Sequence, residues 1–343
     1  MSQAIRAVCF GIPRRRSAAR TVASLLAAAL LASCSLELGK DKAATPKAPL
    51  FVVVSKADIY EAPDRFSRSL DSLRYGVKVQ EEETGGKALP EGWVAVLLED
   101  GRRGYAKRSM FADATVMVVL DELAKSVQDI PVQAMGHAKV ATFLRLAPGR
   151  DGQTLEKLPR GTTFEMFERA ATLRTAKGAV DGEDGPPESA VKEIWYKVRL
   201  EDGRVGYCYT SNVEFDPPVA LSEYTRQRRT VAWQVLRSVP MGDLGSVNEY
   251  VVAYASIGED FGADFNRIEV YTWDGGRYQT PFAKSGVRGL LPLRVETQGA
   301  DIFITWDEPT TTPSSVTRRR FHFPFPYKEL GPSSRVERVI GLH

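Results

Sequence analysis

Residues 93–105 read W-V-A-V-L-L-E-D-G-R-R-G-Y, and residues 195–207 read W-Y-K-V-R-L-E-D-G-R-V-G-Y. Nine positions are identical between the two stretches, at a constant offset of 102 residues. In each stretch an Asp-Gly pair separates two short strand-like segments, which is a strong hairpin signal because glycine tolerates the positive φ of tight turns. The sequence therefore predicts two copies of one small β-structure.

A second pair of matching segments lies upstream of each tryptophan and extends the repeat. Residues 59–63 and 143–148 are both typical of a short strand that ends at a proline, and here the offset is 85. The larger offset at the tryptophans places an insertion of 17 residues in the second copy, before Trp195. Its glycine, proline and acidic residues predict a loop at about residues 170–190.

The order of these segments resembles the bacterial SH3-like domain. In the second copy the matching pieces are F-L-R-L-A-P at 143–148, L-P-R-G at 158–161, W-Y-K-V at 195–198 and D-G-R-V-G-Y at 202–207. The first copy departs from the family pattern at Tyr60 and Glu61. The resemblance covers residues 50–112 and 138–215. It implies a small β-barrel for each copy and binding of peptidoglycan peptides or of other proteins.

Residues 113–135, between the two copies, predict a helical linker. Apolar residues recur there at helical spacing, after an aspartate that can cap the helix and before a proline that can end it. The stripe is Val116, Val119, Leu120, Leu123 and Val127, the cap is Asp113, and the proline is Pro131. We expect the stripe to pack against one or both barrels; a docking site for a partner helix is the alternative.

From residue 217 strand-like runs alternate with short turns, such as D-G-G at 274–276, which predicts an antiparallel meander. Residues 221–237 fit both a helix and a strand. The predicted fold class is therefore mostly β, with two small SH3-like barrels joined by a helical linker and a C-terminal antiparallel β domain. The predicted domains are barrel 1 at 50–112, the linker at 113–135, barrel 2 at 136–216 and the C-terminal domain at 217–343.

The amino terminus has the pattern of a secretory signal peptide. Five arginines precede an apolar run at 21–32, which is too short to span a bilayer. The run closes with L-A-S-C at 31–34, which resembles the lipobox of bacterial lipoproteins. The resemblance implies removal of residues 1–33, acylation of Cys34 (palmitate is such an acyl group) and, because Ser35 follows, sorting to the outer membrane. An ordinary signal peptide with a chance cysteine is the alternative.

These features predict a lipid-anchored protein of the bacterial cell envelope that faces the periplasm or the cell surface. Residues 34–49 are then a flexible tether, and the membrane is a partner through the lipid anchor. Removal of residues 1–33 discards five arginines and no acid, which changes the formal net charge from +3 to −2. Nucleic-acid binding thereby loses its support from composition.

The sequence shows no catalytic constellation, which predicts a protein that is not an enzyme and uses no cofactor or metal. Its three histidines are scattered, and none has a cysteine or a second histidine at ligand spacing. Nucleotide-binding and nucleophile-elbow motifs are missing. Beside Cys34, the mature chain would keep Cys208, which we expect to be a buried apolar residue.

Aromatic residues are the best candidates for ligand contact, because they combine flat apolar area with a polar tip. The four repeated aromatic residues are expected in the barrel cores: Trp93, Tyr105, Trp195 and Tyr207. The candidates for an exposed ligand-binding groove are Tyr60, Arg145 and Tyr196.

The leading hypothesis is therefore a non-catalytic envelope protein that binds peptidoglycan or a protein partner. Two alternatives stay open: the barrels target a cell-wall-active enzyme in residues 217–343, or the whole chain is a structural scaffold of an envelope complex. The first alternative predicts a concave site with clustered polar side chains in the C-terminal domain.

Overall fold

A computed structural model shows a chain built mostly of β-strands. It describes residues 48–84, 88–174, 191–225, 228–255, 262–299, 301–310, 316–324 and 338–339. The predicted signal peptide, Cys34, almost all of the tether and the acidic residues of the predicted loop lie outside these residues. The described strands form three antiparallel sheets of seven strands each, within the compact unit Lys47–His343.

The first sheet lies within the first copy of the repeat. Its strands are β1 Pro49–Val52, β2 Lys56–Tyr60, β3 Ser69–Arg74, β4 Lys78–Glu81, β5 Trp93–Leu97, β6 Arg103–Lys107 and β7 Phe111–Ala112. They lie in the order β3-β2-β6-β5-β4-β1-β7. Apolar residues such as Val52, Ile59 and Val96 are buried together, so that this sheet has a core of its own.

The second sheet repeats the first, strand for strand. Its strands are β8 Ala134–Ala138, β9 Thr142–Arg145, β10 Thr154–Leu158, β11 Thr163–Arg174, β12 Val191–Arg199, β13 Val205–Tyr209 and β14 Val213–Phe215. Their order, β10-β9-β13-β12-β11-β8-β14, is the order of the first sheet with every number raised by seven. The sequence repeat is therefore also a repeat of topology.

The repeated Glu-Asp-Gly-Arg segments form the tips of the hairpins β5–β6 and β12–β13, as predicted. Gly101 and Gly203 have φ angles of 81° and 86°, in the left-handed region that favours glycine. In each tip the preceding aspartate accepts a hydrogen bond from the backbone N–H of Arg102 (2.9 Å) or Arg204 (3.2 Å). Local turn chemistry therefore explains why this segment is the same in both copies.

The loop predicted at about 170–190 begins later than expected. Residues 170–174 belong to β11 and pair with β12 as far as the register Arg174↔Val191. The prediction was wrong for these residues because cross-strand contacts prolong the hairpin; the indole Nε1 of Trp195 donates to the Thr172 hydroxyl at 3.1 Å. The described part of the insertion thus lengthens a two-stranded ribbon beside Trp195.

The predicted linker helix is present as α1 Ala114–Ser126. Asp113 caps its first turn by accepting hydrogen bonds from two backbone N–H groups, at 2.9 and 3.1 Å. Leu120 is buried among residues of both repeats and Val127 among residues of the second, whereas Val119 is exposed. The helix therefore packs against both sheets. In the described part of the chain, no helix is long and apolar enough to cross a membrane.

The third sheet is an antiparallel meander, as predicted. Its strands, adjacent in sequence order, are β15 Arg229–Pro240, β16 Ser246–Ala255, β17 Phe265–Trp273, β18 Tyr278–Gln298, β19 Asp301–Pro309, β20 Val316–Pro324 and β21 Arg338–Val339. The strand-like sequence runs at 277–282 and 290–296 would each form a strand by pattern alone. From Tyr278 onward, both belong to the single strand β18, which pairs first with β17 and then with β19. The ambiguous segment 221–237 contains α2 Ser222–Thr225 and then the start of β15.

A buried glutamine joins the end of the linker to the third sheet. Gln133 Oε1 accepts a hydrogen bond from the Leu293 N–H at 2.7 Å, and its Nε2 donates to the Leu293 carbonyl oxygen at 3.0 Å. The Gln133 carbonyl oxygen accepts from the Trp233 N–H on the edge of β15, at 2.7 Å. Because a buried amide is costly without partners, these bonds specify how the third sheet sits beside the second repeat.

The two repeats meet at Arg204, in the tip of the hairpin β12–β13. This arginine is 1% exposed; its Nη1 donates to the Val53 carbonyl oxygen of the first repeat at 2.9 Å and lies 2.6 Å from Glu156 Oε2. The Ser55 hydroxyl, also in the first repeat, donates to Glu156 Oε1 at 2.9 Å. Arg102, at the matching position of the first repeat, is 48% exposed. Identical tips therefore face the neighbouring repeat in one copy and solvent in the other.

Candidate functional site

A groove of about 310 Å³ lies on the second repeat, along strands β9, β12 and β13. Its lining residues are Thr142, Phe143, Arg145, Arg150, Trp195, Tyr209 and Asn212. Strand residues contribute most of this lining, and Arg150 comes from the turn that follows β9. Aromatic and cationic side chains thus converge on one concavity.

Trp195 forms the floor of this groove. Its ring lies 5.2 Å from that of Tyr209, which is its direct partner in the β12–β13 register. Trp195 was expected in the core of the second repeat; it is buried, but it lies on the face away from that core, so this prediction was wrong. Because successive strand residues point to opposite faces, Tyr196 and Val198 occupy the core face and Trp195 the other.

Tyr196 was expected in an exposed groove, and this prediction was wrong. The side chain is 4% exposed and belongs to the core of the second sheet. Its ring makes an edge contact with Phe215, with 5.4 Å between ring centroids, and burial raises the pKa of its hydroxyl. A tyrosine in this position stabilises the fold and has no access to the groove.

Arg145, the second candidate, lies in the groove. Its Nη1 donates to the carbonyl oxygen of Gly152 at 2.6 Å. The guanidinium carbon lies 5.5 Å from the ring centroid of Phe143 and 6.0 Å from that of Trp195. Contacts of a cation with ring faces at these distances are attractive. They hold the charge of Arg145 beside an exposed phenyl ring, since Phe143 is 43% exposed.

Arg150 brings a second positive charge to the groove. Its Nε donates to Glu193 Oε1 at 2.7 Å, and its guanidinium carbon lies 5.8 Å from the ring centroid of Tyr209. Among the other lining residues, Asn212 Nδ2 donates to the Thr142 hydroxyl at 3.1 Å. Both polar pairs are formed within the second repeat, so side chains of that repeat restrain the polar lining of the groove.

Sequence reasoning missed several of these lining residues. Alternation could have identified two of them, because Phe143 shares a strand face with Arg145, and Tyr209 stands opposite Trp195 in a hairpin whose register the turn defines. Arg150 lies in an irregular turn, where no periodic pattern indicates the direction of a side chain.

Tyr60, the remaining candidate, holds the strand position of Arg145 in the first repeat. Its ring makes an edge contact with Trp93, with 5.8 Å between centroids. Lys107, which holds the position of Tyr209, places its Nζ 4.3 Å from the centroid of the same tryptophan. Each repeated tryptophan therefore contacts one aromatic ring and one cation. In the first repeat the ring comes from β2 and the cation from β6, whereas in the second repeat the cation comes from β9, which matches β2, and the ring from β13, which matches β6.

The described residues contain no group of three or more His, Cys, Asp or Glu side chains placed to hold a metal ion. Cys208 is fully buried in the core of the second repeat, and burial raises the pKa of its thiol to about 12. Such a thiol stays protonated at neutral pH and is a poor nucleophile. The expectation that Cys208 is a buried apolar residue is confirmed.

A second concavity, of about 440 Å³, lies in the third sheet. Between the register pairs Phe265↔Gly289 and Arg267↔Ser285, β17 has one residue, Asn266, whereas β18 has three, residues 286–288. The extra residues make β18 bulge away from β17. The lining residues are Ala255, Ala263, Asp264, Phe265, Asn266, Arg267, Ser285, Gly286, Val287 and Arg288. The third sheet thus has a concave site with polar side chains.

Arg267 connects this concavity to a buried carboxylate. Its Nε donates to Glu269 Oε1 at 2.6 Å, and the Tyr271 hydroxyl donates to Glu269 Oε2 at 2.5 Å. Arg228 pairs with the same carboxylate. Burial opposes ionisation, but these hydrogen bonds and charges hold the pKa of Glu269 below its ordinary value. Glu269 is therefore ionised and fully engaged at neutral pH, which suits a structural role better than acid–base catalysis.

No known protein-family model and no curated protein matches this chain. Among solved structures it is similar to NlpC2 from Trichomonas vaginalis, with 7% identity and a TM-score of 0.16 over 86% of this chain and 96% of that chain. It is similar at the same TM-score to NlpC1 from Trichomonas vaginalis, with 9% identity over 85% and 90% of the respective chains.

Proposed function

We propose that this protein is a lipid-anchored, non-catalytic component of the bacterial cell envelope whose two repeats are SH3-like barrels. In this proposal the second repeat binds peptide of the cell wall. The order of the sequence segments supports the SH3-like assignment, and the matching strand order of the two sheets supports giving both repeats the same assignment. The L-A-S-C segment that ends at Cys34 supports the lipid anchor.

The groove above Trp195 is the observation that carries the proposed binding. Its volume is at the lower end of the range for small-molecule sites. A space of this size suits one or two side chains of an extended peptide better than a whole cofactor. The exposed ring of Phe143 offers apolar area at the entrance, and the two arginines offer hydrogen-bond donors.

Retention of the full chain on purified peptidoglycan tests the proposal directly. Replacing Phe143 by alanine should reduce retention, and because this ring is partly exposed the change should leave the fold intact. Phe66→Ala is the matched control, since Phe66 is an exposed phenylalanine of the first repeat. Equal retention of both variants and the wild-type protein would exclude the groove as the binding site.

A protein partner is the other ligand that the groove could accommodate. In that case the protein would not be retained on purified peptidoglycan, and crosslinking in cell envelopes would capture a partner that Phe143→Ala loses. The scaffold alternative predicts instead a crosslinked complex that the same substitution leaves unchanged.

A second candidate function rests on the concavity in the third sheet. Its polar lining is what a catalytic domain targeted by the two barrels would require, although the adjoining Glu269 network is fully paired. Incubation of the full chain with purified peptidoglycan tests this candidate. Soluble fragments that the Asn266→Ala variant no longer releases would support it, and the absence of soluble fragments with the wild-type protein would remove it.

A further inference from the structure

We infer that Arg150 and Arg145 form a clamp for a ligand carboxylate in the groove, and that Glu193 holds Arg150 in position. This inference rests on the proposed function, because it specifies the chemistry of the ligand that the same groove binds. The ligand class is a peptide that carries a carboxylate beside an apolar side chain.

The geometry of Arg150 supports its role in the clamp. Its Nε is occupied by Glu193, whose side chain is only 4% exposed, whereas the Arg150 side chain is 56% exposed. A guanidinium has five N–H donors, so the bond at Nε restrains the group and leaves donors at its far edge for a ligand. A restrained arginine loses little conformational entropy when it forms a bidentate pair with a carboxylate.

Arg145 supplies the second charge, beside Trp195. Its bond to the carbonyl oxygen of Gly152 and its contacts with two rings restrain it in the same manner. The lining of the groove contains these two arginines and no acid. The nearby Glu193 neutralises at most one of the two charges, so the groove favours an anionic group. Phe143 and Tyr209 then provide apolar area for the neighbouring part of the ligand.

The first repeat has the same residue types at two of these positions but no such clamp. Arg65 and Glu91 occupy the places of Arg150 and Glu193, at offsets of 85 and 102. Glu91 is exposed, and the guanidinium of Arg65 lies 4.7 Å from the ring centroid of its neighbour Phe66. The described structure therefore shows a restrained pair in the second repeat and an open arrangement in the first.

Calorimetric titration of the full chain with two peptides tests the clamp. One probe is a synthetic cell-wall stem pentapeptide with free carboxylates, and the other is the same peptide with all carboxylates converted to carboxamides. We expect the carboxamide to bind about tenfold more weakly, which corresponds to the loss of one charge-assisted interaction. Equal affinity for the two probes would overturn the clamp but leave the groove as a binding site. Binding of neither probe would overturn both this inference and the cell-wall version of the proposed function.

Three variants refine the test. Arg150→Gln should weaken binding of the free acid by about tenfold and leave binding of the carboxamide unchanged, whereas Arg102→Gln, an exposed arginine of the first repeat, should change neither. Glu193→Gln should weaken binding of the free acid in the wild-type background and have no further effect in the Arg150→Gln background. Additive losses would show that Glu193 does not act through Arg150 and would overturn its positioning role.

Discussion

Replacing Arg204 by alanine should destabilise the protein far more than the same change at Arg102. The two arginines hold matching places in the hairpin tips and make matching contacts. Each pairs with the aspartate of its own turn and with an acid on another strand of its repeat, Asp71 for Arg102 and Glu156 for Arg204. They differ in burial, because the first repeat covers Arg204 and leaves it 1% exposed, whereas Arg102 is 48% exposed.

The expected magnitude follows from what alanine would leave behind at position 204. Glu156 would lose its arginine and the Val53 carbonyl oxygen its donor, where water has little access. Breaking a buried ion pair by removing one partner costs about 3–5 kcal/mol. Glu156 and Asp202 keep 19% and 29% of their side-chain exposure, so that water can solvate them in part. We therefore expect a loss near the lower end, about 3 kcal/mol.

Urea unfolding of the full chain, followed by tryptophan fluorescence, measures this loss as a shift of the midpoint. Arg204→Ala should unfold at a clearly lower urea concentration than the wild-type protein, and Arg102→Ala close to it, since an exposed ion pair is screened by solvent. The double variant Arg204→Met with Glu156→Leu should recover part of the lost stability, because it leaves fewer buried charges unpaired. Equal midpoints for the two alanine variants would refute the reasoning that burial against the first repeat makes Arg204 contribute more to stability than Arg102.

Four further predictions concern the anchor and the second repeat. Cys34→Ser should move the protein from the membrane to the soluble fraction and abolish incorporation of labelled palmitate; continued incorporation would contradict the proposed anchor. Cys208 should resist a thiol reagent in the native protein at pH 8 and react after unfolding, because burial raises its pKa from 9.0 to about 12. Because the folded protein holds the Cys208 thiol proton more tightly than the unfolded chain does, this thiol contributes stability that is complete below pH 9 and is lost as the pH rises towards 12. The urea midpoint should fall over this pH range. Gly206→Ala should cost roughly 1–3 kcal/mol of stability in the same assay, because its Cβ would lie 2.7 Å from the Arg145 carbonyl oxygen; an unchanged midpoint would show that β9 moves aside freely.

Elements that depend on local interactions could be predicted from the sequence. The hairpin tips follow from Asp-Gly, whose conformational preference needs no tertiary contact. The linker helix follows from the cap at Asp113 and the spacing of its apolar residues. The meander of the third sheet follows from short turns between strand-like runs, but the continuation of two of these runs as the single strand β18 depends on pairing with two different neighbours.

The candidate site could be predicted only in part, because it depends on which face of a strand meets the core. In the segment that begins at Trp195, the apolar residues Val198 and Leu200 share a face with Tyr196, and this spacing is the signal that places Tyr196 inside. The burial of Arg204 has no such signal, since it results from contact with a segment about 150 residues earlier in the chain. Sequence patterns therefore predict the strand face on which a side chain lies more readily than they predict the residues that it contacts.

The exchange of partners around the two tryptophans favours the second repeat as the site for an anionic ligand. Trp195 has Arg145 on one strand and Tyr209 on the next, whereas Trp93 has Tyr60 and Lys107 in the reverse arrangement. The residue that matches Phe143 in the first repeat is Asp58, at the offset of 85. This aspartate is partly exposed and pairs with Lys56 at 3.0 Å. An acid at the position of the entrance ring would repel a ligand carboxylate and provide no apolar surface. The two copies thus share a scaffold, and the residues on its outer face predict different ligands for them.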